Sequence, residues 1–580
     1  MVRSVARLAG LVLVLCTVSA VHAATTAAAA ASGGAFQEVV DALLADLYAR
    51  NPTYATDLGL HEFDGRLEDY SAASIAAELQ AVAKFEAELE RIDPKELSQV
   101  QRQDRELLLL SLVSRRLDAE RVRPLERNPD VYSSGITNSA YALIKRDYAP
   151  AEQRLRSLVE REKAMPSALL EARRNLRDVP RIYAEIAIEQ LDGNQEFFRS
   201  AVTAAFAGAG DAALQAEFKR TNDAVIRALG DYKTWLQQTL LPKATGSFAW
   251  GADLYQRKLR ADEMIDTPIA ELERIALQDL RRNQAWVAAA AKQVDPKKSP
   301  LEVLDAMQRD HPPPDKLLAT TQADLDALGR FMTERHIVTI PQDAPPAQVQ
   351  ETPPFMRATT SASMDTPGPF EQGKLQGFYS MTLPDPAWPA ARKEEFMRQW
   401  FYPLITNVSV HEVWPGHYLQ FLYAPTYPSV VRKVMGSNAN AEGWAHYCEQ
   451  MVIDEGFHAD DPRYRLAQLQ DALLRDARFI VGIRLHTQGM TLQQAEDFFV
   501  TEGYQPRPVA VSETKRGTSD ALYGYYTMGK LAILKLRADY QRKLGPAFRL
   551  QDFHDRFIGL GPLPLPLVRE AMLGERGTLF

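Results

Sequence analysis

QRQDRELLLLSLVSRRL, residues 101–117, sets its apolar side chains three and four apart, the spacing that gathers them on one face of a helix. The pattern runs outward in both directions. VVDALLADLYAR (39–50), ASIAAELQAVAKFEAELERI (73–92) and the long stretch from Ala184 to Leu240 share it. Asn51-Pro52, Asp93-Pro94 and Asn128-Pro129 punctuate it. Helical periodicity therefore dominates from Phe36 to about Arg335, with no fixed-period repeat. Character changes near His336. HIVTIP predicts a strand, residues 341–373 predict a long ordered loop rich in Pro, Thr and Ser, and GFYSMTL (377–383) predicts a second strand. Helical patterns then return. The expected fold is mainly α, a large helical bundle with a small β element. A helical N-terminal region over 36–336 precedes a C-terminal region over 337–580. The second is the place to look for chemistry, because long loops in compact domains are often functional and six of the ten histidines follow residue 400.

The chain has 580 residues, 46% hydrophobic and 24% charged, a globular composition with ample material for a core. Its first 23 residues read as a cleavable signal peptide. Arg3 and Arg7 precede the short apolar run from Leu8 to Ala20, and Val21-His22-Ala23 offers a cleavage point. Residues 24–35 read as a flexible leader. The run is short for a membrane span, so the expectation is a periplasmic or secreted protein with no membrane insertion after signal removal. Losing Arg3 and Arg7 takes the net charge from −8 to −10, and no basic cluster remains to attract nucleic acid or anionic membrane. Cys16 leaves with the signal and lacks the small residues that precede a lipidated cysteine. Cys448 is then the single mature cysteine, which excludes an internal disulfide.

The chemistry concentrates in His411-Glu412-Val413-Trp414-Pro415-Gly416-His417. Two histidines four apart on a helix, with a Glu between them, form the zincin pattern HExxH. Here the second His lies six on, about 120° away in a regular helix. Pro415 has no N–H for the His411 carbonyl and Gly416 tolerates unusual backbone angles, so a local bulge is expected to bring His417 back. Glu442, His446 and Glu449, spaced zero, four and seven, share one helical face further on. Glu442 is the expected third metal ligand, with His446 and Glu449 orienting the ligands; His446 as ligand with Glu442 behind it is the alternative. Such a site activates a water, with Glu412 as general base and a separate donor for the oxyanion. His61-Glu62, with no second His nearby, reads as surface.

HEVWPGHYLQ followed by EGWAHYCEQM resembles the bacterial domain-of-unknown-function family number 885, whose members carry HExxPGHxxQ and then EGWAxYxE. The likeness extends over NPTYATDLGLHEFDGRLEDYS, ETPPFMRATTSASM, RLHTQGMTLQQAEDFF, YTMGKLAILKLR and FHDRFIGLGPLPLPLV, nearly the whole mature chain. In motif logic the family is similar to helical gluzincin peptidases of the Taq-type carboxypeptidase and angiotensin-converting-enzyme groups. The resemblance implies a gluzincin-like bundle, Zn2+ held by His411, His417 and Glu442, and Glu412 as base. It also implies Tyr526 as oxyanion donor, with Tyr523 and Tyr525 competing. Two departures bear on substrate handling. Gly482 stands where the family usually has Asp, and Thr518-Ser519-Asp520-Ala521-Leu522-Tyr523 replaces its Pro-Gly-Gln-Ala stretch.

Several residues carry secondary expectations. Arg516 or Lys515 is a candidate for binding a substrate carboxylate. His486 and Tyr523 are candidates for substrate contact, and Gln420 for a structural role. Arg475 and Arg478 are expected to pair with acids inside the bundle, and Trp414 and Trp444 to sit in the core. Residues 359–363 are placed to present backbone to a peptide as an added strand. The expected activity is hydrolysis of short peptides or peptide-like amides by carboxypeptidase or dipeptidase action. The alternatives are hydrolysis of non-peptide amides or esters, and a peptide-binding relative without turnover.

Overall fold

The computed structural model describes residues 33–580 apart from 354, 355, 358, 359 and 374. The segment expected as signal peptide (1–23) and most of the expected leader lie outside the described residues, as does Thr359; residues 33–35 open a helix that runs to residue 50. Helix takes up 71% of the chain and strand 3%, which settles the class as mainly α. The elements that build the site are α1 (Ala252–Glu263), α2 (Ile269–Val294), α3 (Leu317–Glu334), β1 (Gln348–Glu351), β2 (Ala362–Asp365) and β3 (Phe378–Met381). They continue with α4 (Tyr402–Glu412), α5 (His417–Leu422), α6 (Asn438–Asp454), α7 (Pro462–Thr487), α8 (Arg507–Ser519) and α9 (Tyr525–Leu544). Among the described residues no helix is long and apolar enough to cross a membrane.

The stretch at 101–117 does form a helix, Gln99–Leu117, capped by Ser98 in a reciprocal box with Gln101. Its Leu108 and Leu112 are fully buried. The apolar cores cross the boundary read at residue 336. One core joins residues 36–112 and 255–332 to the C-terminal helices, while a second is made wholly of residues between Tyr70 and Ala244. The C-terminal region is thus built on helices from the chain's beginning.

The β element differs from expectation in detail. GFYSMTL supplies β3, but HIVTIP forms no strand. His336 turns into the left-handed region (φ 51°) at the end of α3, and Ile337 and Val338 are spent as core anchors. The Ile337 N–H closes on the Met332 carbonyl and its own carbonyl accepts from His554. The strands that partner β3 come instead from within the expected loop. β1 runs parallel to it and β2 antiparallel, giving the order β1-β3-β2 with Ser363 opposite Ser380. β2 is an edge and packs against α4 and α5.

α4 packs against α6 and α7, and α6 lies along α9. That last contact is backbone on backbone. A Cβ at Gly443 would stand 2.4 Å from the Gly529 Cα, and one at Gly529 would stand 1.9 Å from the Ala439 carbonyl oxygen. Only glycine on both helices permits the approach. The start of α6 is clamped by buried Glu263 of α1, which accepts from the Asn438 and Ala439 N–H groups at 3.1 and 3.0 Å and from the Ser437 hydroxyl. These acceptors satisfy a helix terminus that is closed to water.

Candidate metal centre

The break between α4 and α5 solves the angular problem of the two histidines. Val413 (φ −122°, ψ −76°) leaves helical angles, the Trp414–Pro415 bond is cis, and Gly416 (φ −69°, ψ −132°) leads into α5. Two hydrogen bonds span the break with a stride of six where a helix uses four. Gly416 N–H donates to the Val410 carbonyl at 3.0 Å and Leu419 N–H to the Val413 carbonyl at 3.3 Å. Two residues are looped out, and His417 takes the place that a residue four after His411 holds in an unbroken helix. Gly416 is required here: a Cβ would stand 1.8 Å from the His411 carbonyl oxygen. The looped-out Pro415 carbonyl accepts from Trp444 Nε1 at 2.8 Å, so it is satisfied inside the core.

Glu442 enters from α6. His411 Nε2 and His417 Nε2 stand 3.3 and 3.2 Å from the same Glu442 oxygen, and the three atoms lie within 4.8 Å of one another. Neither contact has hydrogen-bond geometry, and that oxygen is buried with no hydrogen-bond partner. Two donors each about 2.0–2.1 Å from a tetrahedral zinc stand about 3.3 Å apart, the spacing seen for both His–Glu pairs. Two imidazoles and a carboxylate with one position left open are a donor set suited to such an ion.

The surrounding groups fix the His411 ring. Glu449, on the same face of α6 further along, accepts from His411 Nδ1 at 2.7 Å, which turns Nε2 of the ring towards the centre. Arg475 of α7 holds Glu449 at 3.0 Å and Asp471 at 3.1 Å, and Asn407 of α4 donates to Asp471 at 2.7 Å. Burial opposes the charge on Glu449, but Arg475, then His446 and His411, hold its carboxyl well below the usual range. Burial opposes charge on His411 as well; Glu442 and Glu449 outweigh it and hold the ring at about 9. Burial and then Lys530 push His446 down to about 3, so it stays neutral, bonded to Glu449 at 3.0 Å and outside the ligand cluster.

Glu412 ends α4, half-buried, and its carboxylate forms no hydrogen bond or ion pair among the described residues. The late tyrosines divide by where their protons go. Tyr525 donates to Asp520 at 2.9 Å. Tyr523 is fully buried, its hydroxyl without a partner, packed on Gly482 and Gly517. Tyr526 accepts from Arg516 at 3.1 Å, its ring 6.2 Å from that of His411, and its proton has no acceptor among the described residues. It alone of the three keeps a donor free beside the centre.

Three expectations for substrate contact change. His486 is buried, bonded to the Gly517 carbonyl at 2.8 Å between Phe248 and Trp250, and burial lowers it to about 4; it is a packing residue. Tyr523 is closed to substrate by the same helix packing. It occupies the space in front of Gly482, where a Cβ would meet its ring at 3.0 Å, so the departure from Asp at 482 accompanies this tyrosine. Arg516 gives its charge to Asp520 at 3.0 Å and steadies Tyr525 and Tyr526. Lys515 pairs with Glu189 away from the centre. Gln420 is buried against Asn440, and Trp414 and Trp444 are core. Arg475 and Arg478 pair with acids, the latter with Glu513. His61 is not a free surface residue: it stacks on Tyr148 and bonds Asp64 and Glu371. Sequence reading missed Asp471, Asn407 and Glu263. Asn407, four before His411, and the Asp471-x-x-x-Arg475 spacing were the available signals.

The sequence profile of the family described as "Bacterial protein of unknown function (DUF885)" matches residues 52–572. A protein of unknown function from Shewanella oneidensis, named as a candidate lipoprotein, is similar in structure at TM-score 0.77 with 27% identity, over 93% of this chain and 99% of its own. A candidate lipoprotein from Colwellia psychrerythraea shares the fold at TM-score 0.78 with 18% identity, over 93% and 98%. No curated protein matches the chain.

Proposed function

We propose that this chain, which belongs to the DUF885 family of bacterial proteins of unknown function, is a zinc-dependent hydrolase of peptide bonds that acts on short peptides as a carboxypeptidase or dipeptidase. The observation that carries the reading is the convergence of His411 Nε2, His417 Nε2 and a Glu442 oxygen, with the Glu412 carboxylate next to them in the chain; neither that oxygen nor Glu412 has a hydrogen-bond partner among the described residues. The looped-out pair at the α4–α5 break restores the ligand spacing of helical gluzincins, and on that ground we assign the bundle to their type. When bound, zinc supplies Lewis acidity that polarises a substrate carbonyl and acidifies a water.

The chain's own residues do the rest. Glu412 takes the proton from the attacking water and passes it to the leaving amine. Tyr526 donates its free proton to the carbonyl oxygen as charge develops there, and Arg516 holds that phenol in place. Glu449, anchored by Arg475, fixes the His411 ring. The edge strand β2 is placed to hold the extended substrate backbone.

Glu412→Gln tests the mechanism. Zinc content measured after dialysis should equal that of the wild type, while peptide cleavage falls by at least about a hundredfold, the usual worth of a general base. Cleavage at the wild-type rate removes the mechanism. The chain is also proposed to be exported through residues 1–23, in keeping with the lipoprotein names of its structural neighbours. Here Cys16 sits inside the apolar run, so the mature protein should begin at Ala24; an intact mass showing lipid on Cys16 would overturn that.

A further inference from the structure

The NPTYATDLGL segment (51–60) contributes nothing to the centre described above, yet the fold brings it to a cavity that starts one helical turn from two of the metal-binding side chains. This cavity, about 410 Å³, is walled by Tyr54 and Leu58 of that segment, Met364 of β2, Phe421 of α5, and Asn438 and Ala441 of α6. Phe421 lies four residues after His417 and stacks on its ring, centroids 6.2 Å apart and planes 16° apart. Asn438 lies four residues before Glu442 on the same helix. Residues four apart on a helix are neighbours, with roughly 5–6 Å between Cβ atoms. The cavity's wall therefore shares two helices with the centre, and Phe421 and Asn438 stand one turn along them from His417 and Glu442.

The wall is fixed and its one acid is paired. The Tyr54 hydroxyl donates to the Val434 carbonyl at 2.5 Å. The chain at Gly368 lies so close to this segment that a Cβ there would stand 2.3 Å from the Asp57 carbonyl oxygen. Of the three charged residues of the wall, Asp57 is paired with Lys145 at 2.7 Å and Arg432 with Asp104 at 2.9 Å, while Lys433 donates to the Pro425 carbonyl at 2.9 Å and keeps its positive charge. A cationic side chain entering would lose its water and meet Lys433 with no unpaired acid beside it, whereas an apolar one only gains.

We infer that this cavity is the subsite that takes an apolar side chain, aromatic or branched aliphatic, of the peptide bound at the metal centre. The inference rests on the peptide-hydrolase reading above. It gives the N-terminal segment a role: that segment forms the far wall of the specificity pocket.

The test uses full-length, zinc-loaded Glu412→Gln protein and calorimetric binding of the dipeptides Phe-Phe, Lys-Lys and Gly-Gly, with wild-type cleavage of the same three in parallel. Phe-Phe should bind about tenfold or more tighter than either of the others, the gain expected from burying one large apolar side chain. Adding Ala441→Leu, which fills the cavity, should erase that advantage while Gly-Gly binding moves by less than about threefold. Tyr54→Ala, at a position 39% exposed, should reduce the advantage as a second readout. Equal affinities, or a Phe-Phe advantage untouched by both substitutions, would overturn the pocket even where wild-type cleavage upholds the peptide reading. Neither binding nor cleavage of any dipeptide would remove both.

Discussion

Replacing Gly416 with Ala should destroy the proposed metal centre without touching any of its three proposed ligands. The added Cβ would lie 1.8 Å from the His411 carbonyl oxygen and 2.5 Å from the Val410 carbonyl oxygen. Reaching even a 3.0 Å contact demands a movement of about 1 Å in a packed interior. The atoms in the way belong to His411 itself and to the acceptor of the Gly416 N–H, so relaxation shifts one ligand relative to the other. Zinc sites tolerate errors of about 0.2 Å in ligand position. Zinc affinity, measured by competition with a chromogenic chelator, should fall by at least about a hundredfold, more than the 10–100-fold typical of losing a supporting residue. Stability to denaturant should drop by about 1–3 kcal/mol, the usual cost of overpacking a core. Gly559→Ala is the control, because a Cβ there meets nothing within 4 Å. Wild-type zinc affinity in Gly416→Ala would refute the claim that the looped-out pair aligns the two histidines.

Two further outcomes follow from the same geometry. Tyr526→Phe should lower kcat by about 10²–10³, the cost of losing one oxyanion donor, with KM nearly constant. Tyr525→Phe should cost far less, because that proton goes to Asp520; equal losses would sink the assignment. His61 offers a pH test. Burial opposes its charge, but Asp64 and Glu371 outweigh it and raise it to about 9. Its folded pKa lies above the ordinary value of 6.5, so its stabilisation is full below about pH 6.5 and is lost as pH rises through 9. The ring is partly exposed, so the loss should be about 1 kcal/mol or less. Denaturation midpoints should fall between pH 6.5 and 9 in the wild type and stay flatter in His61→Gln.

Much of the centre is legible in the residues alone. The ligand types and the Pro-Gly break that reconciles a six-residue spacing with one face can all be read at 411–417 and 442–449. The polar strands QVQE and ASMD cannot, because each is four residues long and acquires strand geometry only by pairing with β3. HIVTIP misleads for the converse reason: its β-branched side chains are spent on core contacts with no strand beside them. Tyr523 and Tyr526 are indistinguishable as letters. They part only because Gly517 and Gly482 admit one ring into the packing, while Arg516 and His411 flank the other.

The sequence by itself determined the helical class and the local backbone break, since both depend on interactions within a few residues: apolar spacing, a missing N–H, an absent Cβ. Tertiary structure decided which carboxylate meets the two imidazoles, which phenol keeps its proton, and that residues 51–60 wall a cavity beside α5 and α6. Those depend on packing between helices far apart in the chain, above all the Gly443–Gly529 contact, and proximity of that kind is not encoded in any one stretch.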